Sequence, residues 1–210
     1  MSTRIDPRPW QWAYPRLVTS DIERLAQLEQ AVIEWCDHES YIAQKGMSEM
    51  PPHDPNLNPS DEDAIQAQYE DFQSQQELAI IAKEEFLISQ ITSLYRVIEL
   101  RRKRLFEHFT EFDGLDASEI KKIENRFQAV CGRSINDVLH AAEVDELRML
   151  NNAIKHHGAV TKQLANNYPG WIEGAPFSKL SETFKRISSV IPVYFKDLAE
   201  QLQSSIPYSL

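Results

Sequence analysis

The chain has 210 residues, of which 42% are hydrophobic and 26% are charged. These proportions are ordinary for a globular protein and exclude a disordered or fibrous chain. The net charge of −10 argues against general coating of nucleic acid, although a local site for one or two phosphates remains compatible with it.

No apolar run reaches the roughly 18 residues that a membrane span needs, and the first residues lack the apolar segment of a signal peptide. We therefore expect a cytoplasmic protein with no membrane partner. The two cysteines, Cys36 and Cys131, lie far apart in the chain and are predicted to be free thiols.

Apolar residues recur at spacings of three and four over long segments, and the chain has only 6 glycines. This pattern predicts an all-α fold, a helical bundle of about five to six helices with one or two long ones. The prolines and tryptophans of residues 1–18 indicate an irregular N-terminal arm, and residues 19–210 are predicted to form a single helical domain. Ser20 and Glu23 form a capping box, from which a first helix is predicted to run to about Ala43.

A proline-rich stretch over residues 46–59 cannot continue a helix and predicts a mobile loop. Ser60 and Asp63 mark the next helix start. No proline or glycine interrupts residues 60–113. One very long helix, or two helices broken near Ser74, are both compatible with this segment.

Capping residues and glycines divide the rest of the chain into three further helices. The first follows the capping box of Asp116 and Glu119 and ends at Gly132, the second runs from Ser134 to His157 and Gly158 with a kink near Glu143, and the third runs from Ser178 or Ser181 to Gln203.

A ridge of polar side chains lies near the end of the second of these helices. At 3.6 residues per turn, Arg148, Asn152 and Lys155 fall on one face, with His156 beside them. An arginine fork matches a phosphate, a histidine moves protons near neutral pH, and an asparagine can orient either. The ridge therefore suits phosphodiester cleavage. A solvated helix end, where positive side chains are favoured, accounts for the same residues without a site.

The segment from Asn151 to His156 resembles the RNxxxH form of the HEPN motif. The following Lys155-His156-x-Gly158, with Thr161, Leu164 and Pro169, is similar to uncharacterised bacterial HEPN-like proteins. The resemblance implies an all-helical bundle, usually dimeric, and in many members a metal-independent ribonuclease of a toxin–antitoxin, phage-defence or CRISPR system. In such enzymes the arginine and histidine of two protomers form one cleft, where the RNA 2′-hydroxyl attacks its own phosphate.

Position by position, His156 matches the motif histidine and Asn152 the polar residue after the arginine. Asn151 stands where the arginine belongs, and Arg148 lies one turn earlier. The resemblance implies that Arg148, Asn152 and His156 are catalytic, and that Asn151, Lys155 and His157 contact an RNA substrate. No metal or other cofactor is expected. The protein is expected to form a homodimer.

The displaced arginine also favours a second interpretation from another class. The chain would then be a catalytically inactive HEPN-like subunit, antitoxin-like or part of a defence complex, whose acidic surface binds a basic protein partner.

The only basic cluster comprises Arg96 and the run from Arg101 to Arg104. Arg101 and Arg104 are predicted to contact RNA beside the cleft. Alternatively, the cluster is a solvated face that pairs with acidic neighbours such as Glu99 and Glu107.

Overall fold

The computed structural model describes residues 8–51, 58–114 and 120–205. Six α-helices and two short 3-10 turns account for most of them, and no strand occurs in these ranges, so the predicted all-α bundle is confirmed. In the described part of the chain no helix is both long and apolar enough to cross a membrane. The helices are α1 (Arg8–Glu49), α2 (Pro59–Phe106), α3 (Ile120–Cys131), α4 (Ala141–His156), α5 (Lys162–Asn167) and α6 (Leu180–Ser205).

The chain folds into two compact units. The core unit consists of the described residues up to Leu25 together with those from Gln90 onward, and the hairpin unit consists of Ala26–Ser89. The sequence predicts a single helical domain over 19–210. The boundaries lie inside α1 and α2, where no proline or glycine marks them, so a reading of breaks in composition could not find them.

Helix α1 begins before the predicted capping box, so the irregular arm predicted over 1–18 is wrong for residues 8–18. Tyr14, Val18 and Ile22 follow one another at four-residue spacing and are all buried. Their burial favours helix strongly enough to carry it through Pro15 and past the local signal of Ser20. Residues 1–7 lie outside the described part of the chain.

Helix α2 is one continuous helix of 48 residues rather than two. Asn58 caps it, because its Oδ1 accepts hydrogen bonds from the backbone N–H groups of Ser60 at 2.9 Å and Asp61 at 3.1 Å. Pro59, at the first helical position, lacks an N–H that would need a partner. Of the predicted loop over 46–59, the first four residues belong to α1, and residues 52–57 lie outside the described ranges.

In the hairpin unit, α1 and α2 run antiparallel. Lys83 Nζ lies 2.6 Å from Asp37 Oδ1, and Gly46, farther along α1, faces Phe72, which is earlier in α2. A Cβ on Gly46 would lie 2.5 Å from the Phe72 ring. A glycine is therefore needed at this point for the two helices to approach each other closely.

The core unit is built around α6, which packs against α3 and α4. Phe184, Ile187, Ile191, Phe195 and Leu198 follow its buried face at helical spacing. This buried apolar face supports α4, the helix that carries the polar ridge, rigidly.

One predicted helix end in this unit is confirmed, and one predicted helix start is wrong. Gly132 ends α3 with a φ of +71°, and Ser134 forms a capping box with Asp137. That box starts a 3-10 turn rather than a helix, and α4 begins only at Ala141, after His140 with a φ of +63°. The capping box predicted for Asp116 and Glu119 lies outside the described residues.

Candidate functional site

Helix α4 presents the polar ridge by burying its opposite face. Leu147, Leu150 and Ala153 are buried, while Arg148 is partly exposed and Asn152 is exposed. Because the apolar side chains fix the rotation of the helix about its axis, the polar side chains of the ridge keep a defined direction. The ridge is therefore held on a rigid element rather than a loop.

A cleft of about 480 Å³ opens beside this ridge. One wall is α4 and its end, and the other comes from the residues around the start of α5 and from the connector that precedes α6. The lining residues are Arg148, Met149, Asn152, Ala153, His157, Ala159, Val160, Thr161, Lys162, Gln163, Glu173 and Gly174.

The guanidinium of Arg148 is oriented by a neighbour one turn earlier. Its Nη2 lies 2.6 Å from Asp145 Oδ1, and its Nε donates to the same oxygen at 2.8 Å. The second carboxylate oxygen of Asp145, Oδ2, accepts a hydrogen bond from Tyr168 Oη at 2.8 Å. Burial, and then the Asp145 hydrogen bond and charge, raise the pKa of Tyr168, so its hydroxyl remains a donor. This arrangement leaves three of the five arginine N–H donors for another acceptor.

The far wall is attached to α4 by a second carboxylate. Glu146 is buried, and its Oε1 accepts hydrogen bonds from Trp171 Nε1 at 2.9 Å and from Arg186 Nη2 at 2.8 Å. Val160 and Gly174 add to this wall, since the Gly174 N–H donates to the Val160 carbonyl at 2.9 Å. The adjacent carboxylates at 145 and 146 thus hold opposite parts of the cleft in place.

The cleft takes its histidine from the residue after α4 rather than from its last turn. His156 is the last helical residue and is exposed outside the lining, whereas His157 is the C-cap, with φ −125° and ψ −24°. Once the backbone leaves the helix, the 100° spacing no longer directs the side chain. Gly158, with a φ of +67°, then turns the chain into the far wall.

Two other predicted substrate contacts lie away from the cleft. Lys155 is exposed but does not line it. Asn151 is only 1% exposed, and among the described residues its Oδ1 has no hydrogen-bond partner. A buried side chain cannot contact an incoming substrate, so we remove Asn151 from the site.

Part of the basic cluster forms contacts within the protein. Arg101 lies 2.5 Å from Asp21 Oδ2 through Nη2, and its backbone carbonyl accepts a hydrogen bond from Tyr14 Oη. Lys103 Nζ is 4.0 Å from Glu107, and Arg104 is exposed. Neither Arg101 nor Arg104 lines the cleft. Arg101 thus serves to hold α2 against the start of α1.

The charge in the cleft is mixed, because Arg148, Lys162 and Glu173 all line it. The two cations with Asn152 and Gln163 can bind the oxygens of one phosphate group, and His157 can exchange a proton with it. No cluster of three or more metal-ligating side chains occurs among the described residues.

Sequence reasoning predicted Arg148, Asn152 and His157 but missed the residues that hold the walls of this cleft in place. Asp145 could have been found, since an acidic residue three positions before an arginine on a helix commonly pairs with it. No sequence signal identifies Glu173 or Trp171, because the chain brings them to α4 only through tertiary folding.

Comparisons of this chain with protein-family models, with curated proteins and with solved structures find no match.

Proposed function

We propose that the chain is a HEPN-like, metal-independent endoribonuclease of a toxin or phage-defence type that acts as a homodimer. One observation carries the proposal: Arg148, Asn152 and His157 line one open cleft together with Lys162. A cation pair, an amide and an imidazole around one cavity are the groups that cleavage of an RNA phosphodiester needs.

The proposed reaction gives each of these groups a separate role. The RNA 2′-oxygen attacks the neighbouring phosphorus, and its proton passes to water. The bond from phosphorus to the 5′-oxygen breaks, and His157 donates a proton to that leaving oxygen. Arg148 donates hydrogen bonds to the negative phosphorane, and Asn152 orients the phosphate. The products are a 2′,3′-cyclic phosphate and a 5′-hydroxyl.

We propose one change to the assignment of the motif residues. The resemblance assigns the motif histidine to His156, but only His157 lines the cleft. The two imidazole centroids lie 6.5 Å apart. We therefore assign the proton transfer to His157 and a supporting role at the edge of the site to His156.

The test uses purified full-length protein and a fluorescently labelled RNA of mixed sequence in EDTA. We expect cleavage with cyclic phosphate ends, and a loss of about 10²-fold or more in rate for Arg148→Ala and for His157→Ala. His38→Ala, an exposed histidine in the hairpin unit, is the matched control and should cleave like the parent. RNA left intact by the parent, or equal rates for the parent and His157→Ala, would overturn the assignment.

The same comparison can be made in cells. Expression of the parent in bacteria should slow growth and fragment RNA, and His157→Ala should relieve both effects more than His156→Ala does. Equal growth and intact RNA in all three strains would favour the other candidate.

That second candidate is an inactive HEPN-like interaction subunit, and one observation favours it. Asp145 lies 2.6 Å from the Arg148 guanidinium and neutralises part of the charge that a phosphate would need. Asp145→Asn separates the candidates, because it frees the arginine. An active enzyme should then bind RNA more tightly, and an interaction subunit should remain without RNA affinity.

A further inference from the structure

The hairpin unit differs from the rest of the chain in its charge. Residues 26–89 contain fourteen acidic and two basic side chains, a formal charge of −12, whereas the whole chain carries −10. The remainder is therefore slightly positive. The net negative charge of this protein is therefore concentrated in residues 26–89.

The same unit exposes large apolar side chains. Leu28, Trp35 and Ile42 repeat every seven residues along α1 and are 50%, 56% and 43% exposed. At this spacing the three lie on one stripe of the helix. Leu78 in α2 is also exposed.

This exposed stripe is separate from the seam between the two helices. The seam of α1 is formed by Glu29, Cys36 and Ala43, which are buried and each follow one residue after a member of the stripe. In α2 the corresponding seam residue is Ala79, and Leu78 precedes it. In an antiparallel pair, positions that precede the seam on both helices lie along the same edge. Leu28, Trp35, Ile42 and Leu78 therefore share one edge of the hairpin.

We propose that this edge binds a basic amphipathic helix of a partner protein. Because acidic residues border its apolar side chains, the edge formed by Leu28, Trp35, Ile42 and Leu78 is called the acidic stripe. Apolar anchors spaced by seven residues match the apolar face of a third helix. Exposed carboxylates such as Glu34, Glu77 and Glu85 border the anchors and match lysines or arginines on the flanks of that helix. The docked helix converts a two-helix hairpin into a three-helix bundle and covers Trp35.

Charge decides between the occupants of this stripe. A second copy would bring another hairpin with a charge of −12 against the first, and nucleic acid or an anionic membrane would be repelled in the same way. A basic helix is attracted instead. This inference stands whether or not the cleft cleaves RNA, and it gives the interaction candidate a surface.

The test measures binding of a fluorescent synthetic peptide by the full-length protein. The peptide has about 18 leucines and lysines with the leucines on one helical face, and a scrambled peptide of the same composition is the control. We expect the amphipathic peptide to bind at least about tenfold more tightly than the scrambled one. Equal binding of the two peptides would overturn the proposal, because charge alone would then account for it.

Variants locate the binding to the stripe. Trp35→Ala with Ile42→Ala should weaken peptide binding at least about tenfold. Tyr41→Ala, which removes an aromatic side chain that is 61% exposed on another face of the same helix, should change it less than about twofold. Far-ultraviolet circular dichroism confirms that the variants remain helical. Equal binding by the Trp35/Ile42 variant and the parent would overturn the proposal.

Two further measurements separate the alternatives. Sedimentation in about 0.5 M salt, where repulsion between copies is screened, should show that the Trp35/Ile42 variant and the parent have the same oligomeric state. A dimer lost only in the variant would assign the stripe to a second copy. His157→Ala should bind the peptide like the parent, so failure of the ribonuclease proposal leaves this result unchanged.

Discussion

The two units bury their side chains in different ways. The largest fully buried side chains among the described residues, such as Tyr194, Phe195 and Leu147, all belong to the core unit. In the described part of the hairpin unit the buried residues are only Glu29, Cys36, Ala43 and Ala79. Burial of large apolar area is the main source of stability. The core unit therefore has a packed interior that keeps the walls of its cleft in place, whereas the hairpin unit buries few side chains and leaves large apolar ones such as Trp35 exposed.

The largest effect should come from the core unit. Phe195 is fully buried, and its ring centroid lies 5.9 Å from that of Tyr14. Phe195→Ala should lower the free energy of unfolding by about 3 to 5 kcal/mol through lost burial and a cavity. Trp35→Ala, in the hairpin unit, should change it by less than about 0.5 kcal/mol. Urea titrations followed by circular dichroism measure both. Similar losses for the two variants would break the comparison between the units.

A smaller effect is expected at the carboxylate that holds the wall of the cleft. Glu146→Ala removes the buried acceptor of Trp171 and Arg186 and should destabilise the protein by about 1 to 3 kcal/mol. The side chain of Arg186 is 49% exposed, so water can solvate it when the pair is broken. Arg186→Ala should therefore cost less than about 1 kcal/mol.

Urea titration and the emission of the four tryptophans report these two changes. A cost for Arg186→Ala that equals or exceeds that of Glu146→Ala would show that the ion pair, rather than the buried acceptor, stabilises this wall.

The smallest effect should come from the hairpin unit at Gly46. Alanine favours helix by roughly 1 kcal/mol over glycine, but its Cβ would meet the Phe72 ring. Overpacking costs about 1 to 3 kcal/mol, so Gly46→Ala should be destabilising by about 1 kcal/mol overall. In a Phe72→Leu background the clash is relieved, and the same change should then stabilise the protein. Thermal unfolding of the parent, the two single variants and the double variant gives the coupling free energy between positions 46 and 72. A stabilising Gly46→Ala in the parent would contradict the close approach of α1 and α2.

Local signals predicted the helical elements well where their cause is local. The glycines at 132 and 158 have the positive φ that favours glycine at a helix end, and the Ser134 cap is present. The start of α1 was predicted too late because Tyr14 and Val18 are buried by tertiary contacts. A capping signal such as Ser20 contributes only about 1 kcal/mol and cannot end a helix whose earlier turns are buried.

The candidate site can likewise be predicted only where its cause is local. Arg148 and Asn152 share the cleft because they share a helix face, and helical spacing depends only on sequence. His157 rather than His156 lines the cleft because the backbone leaves the helix there, and Asn151 is buried. The HEPN resemblance itself stays a prediction.

The all-helical class, several helix ends, the excess of acidic residues in one segment and the polar ridge of α4 can all be read from the amino-acid sequence. These properties follow from residue type and from the repeat of the helix, which act over a few positions. The division into two units, the pairing of Arg101 with Asp21, the far wall of the cleft and the exposed edge of the hairpin become visible only in the folded chain. Each of these depends on which residues distant in sequence come together, and apolar burial, which drives that assembly, has no direction of its own.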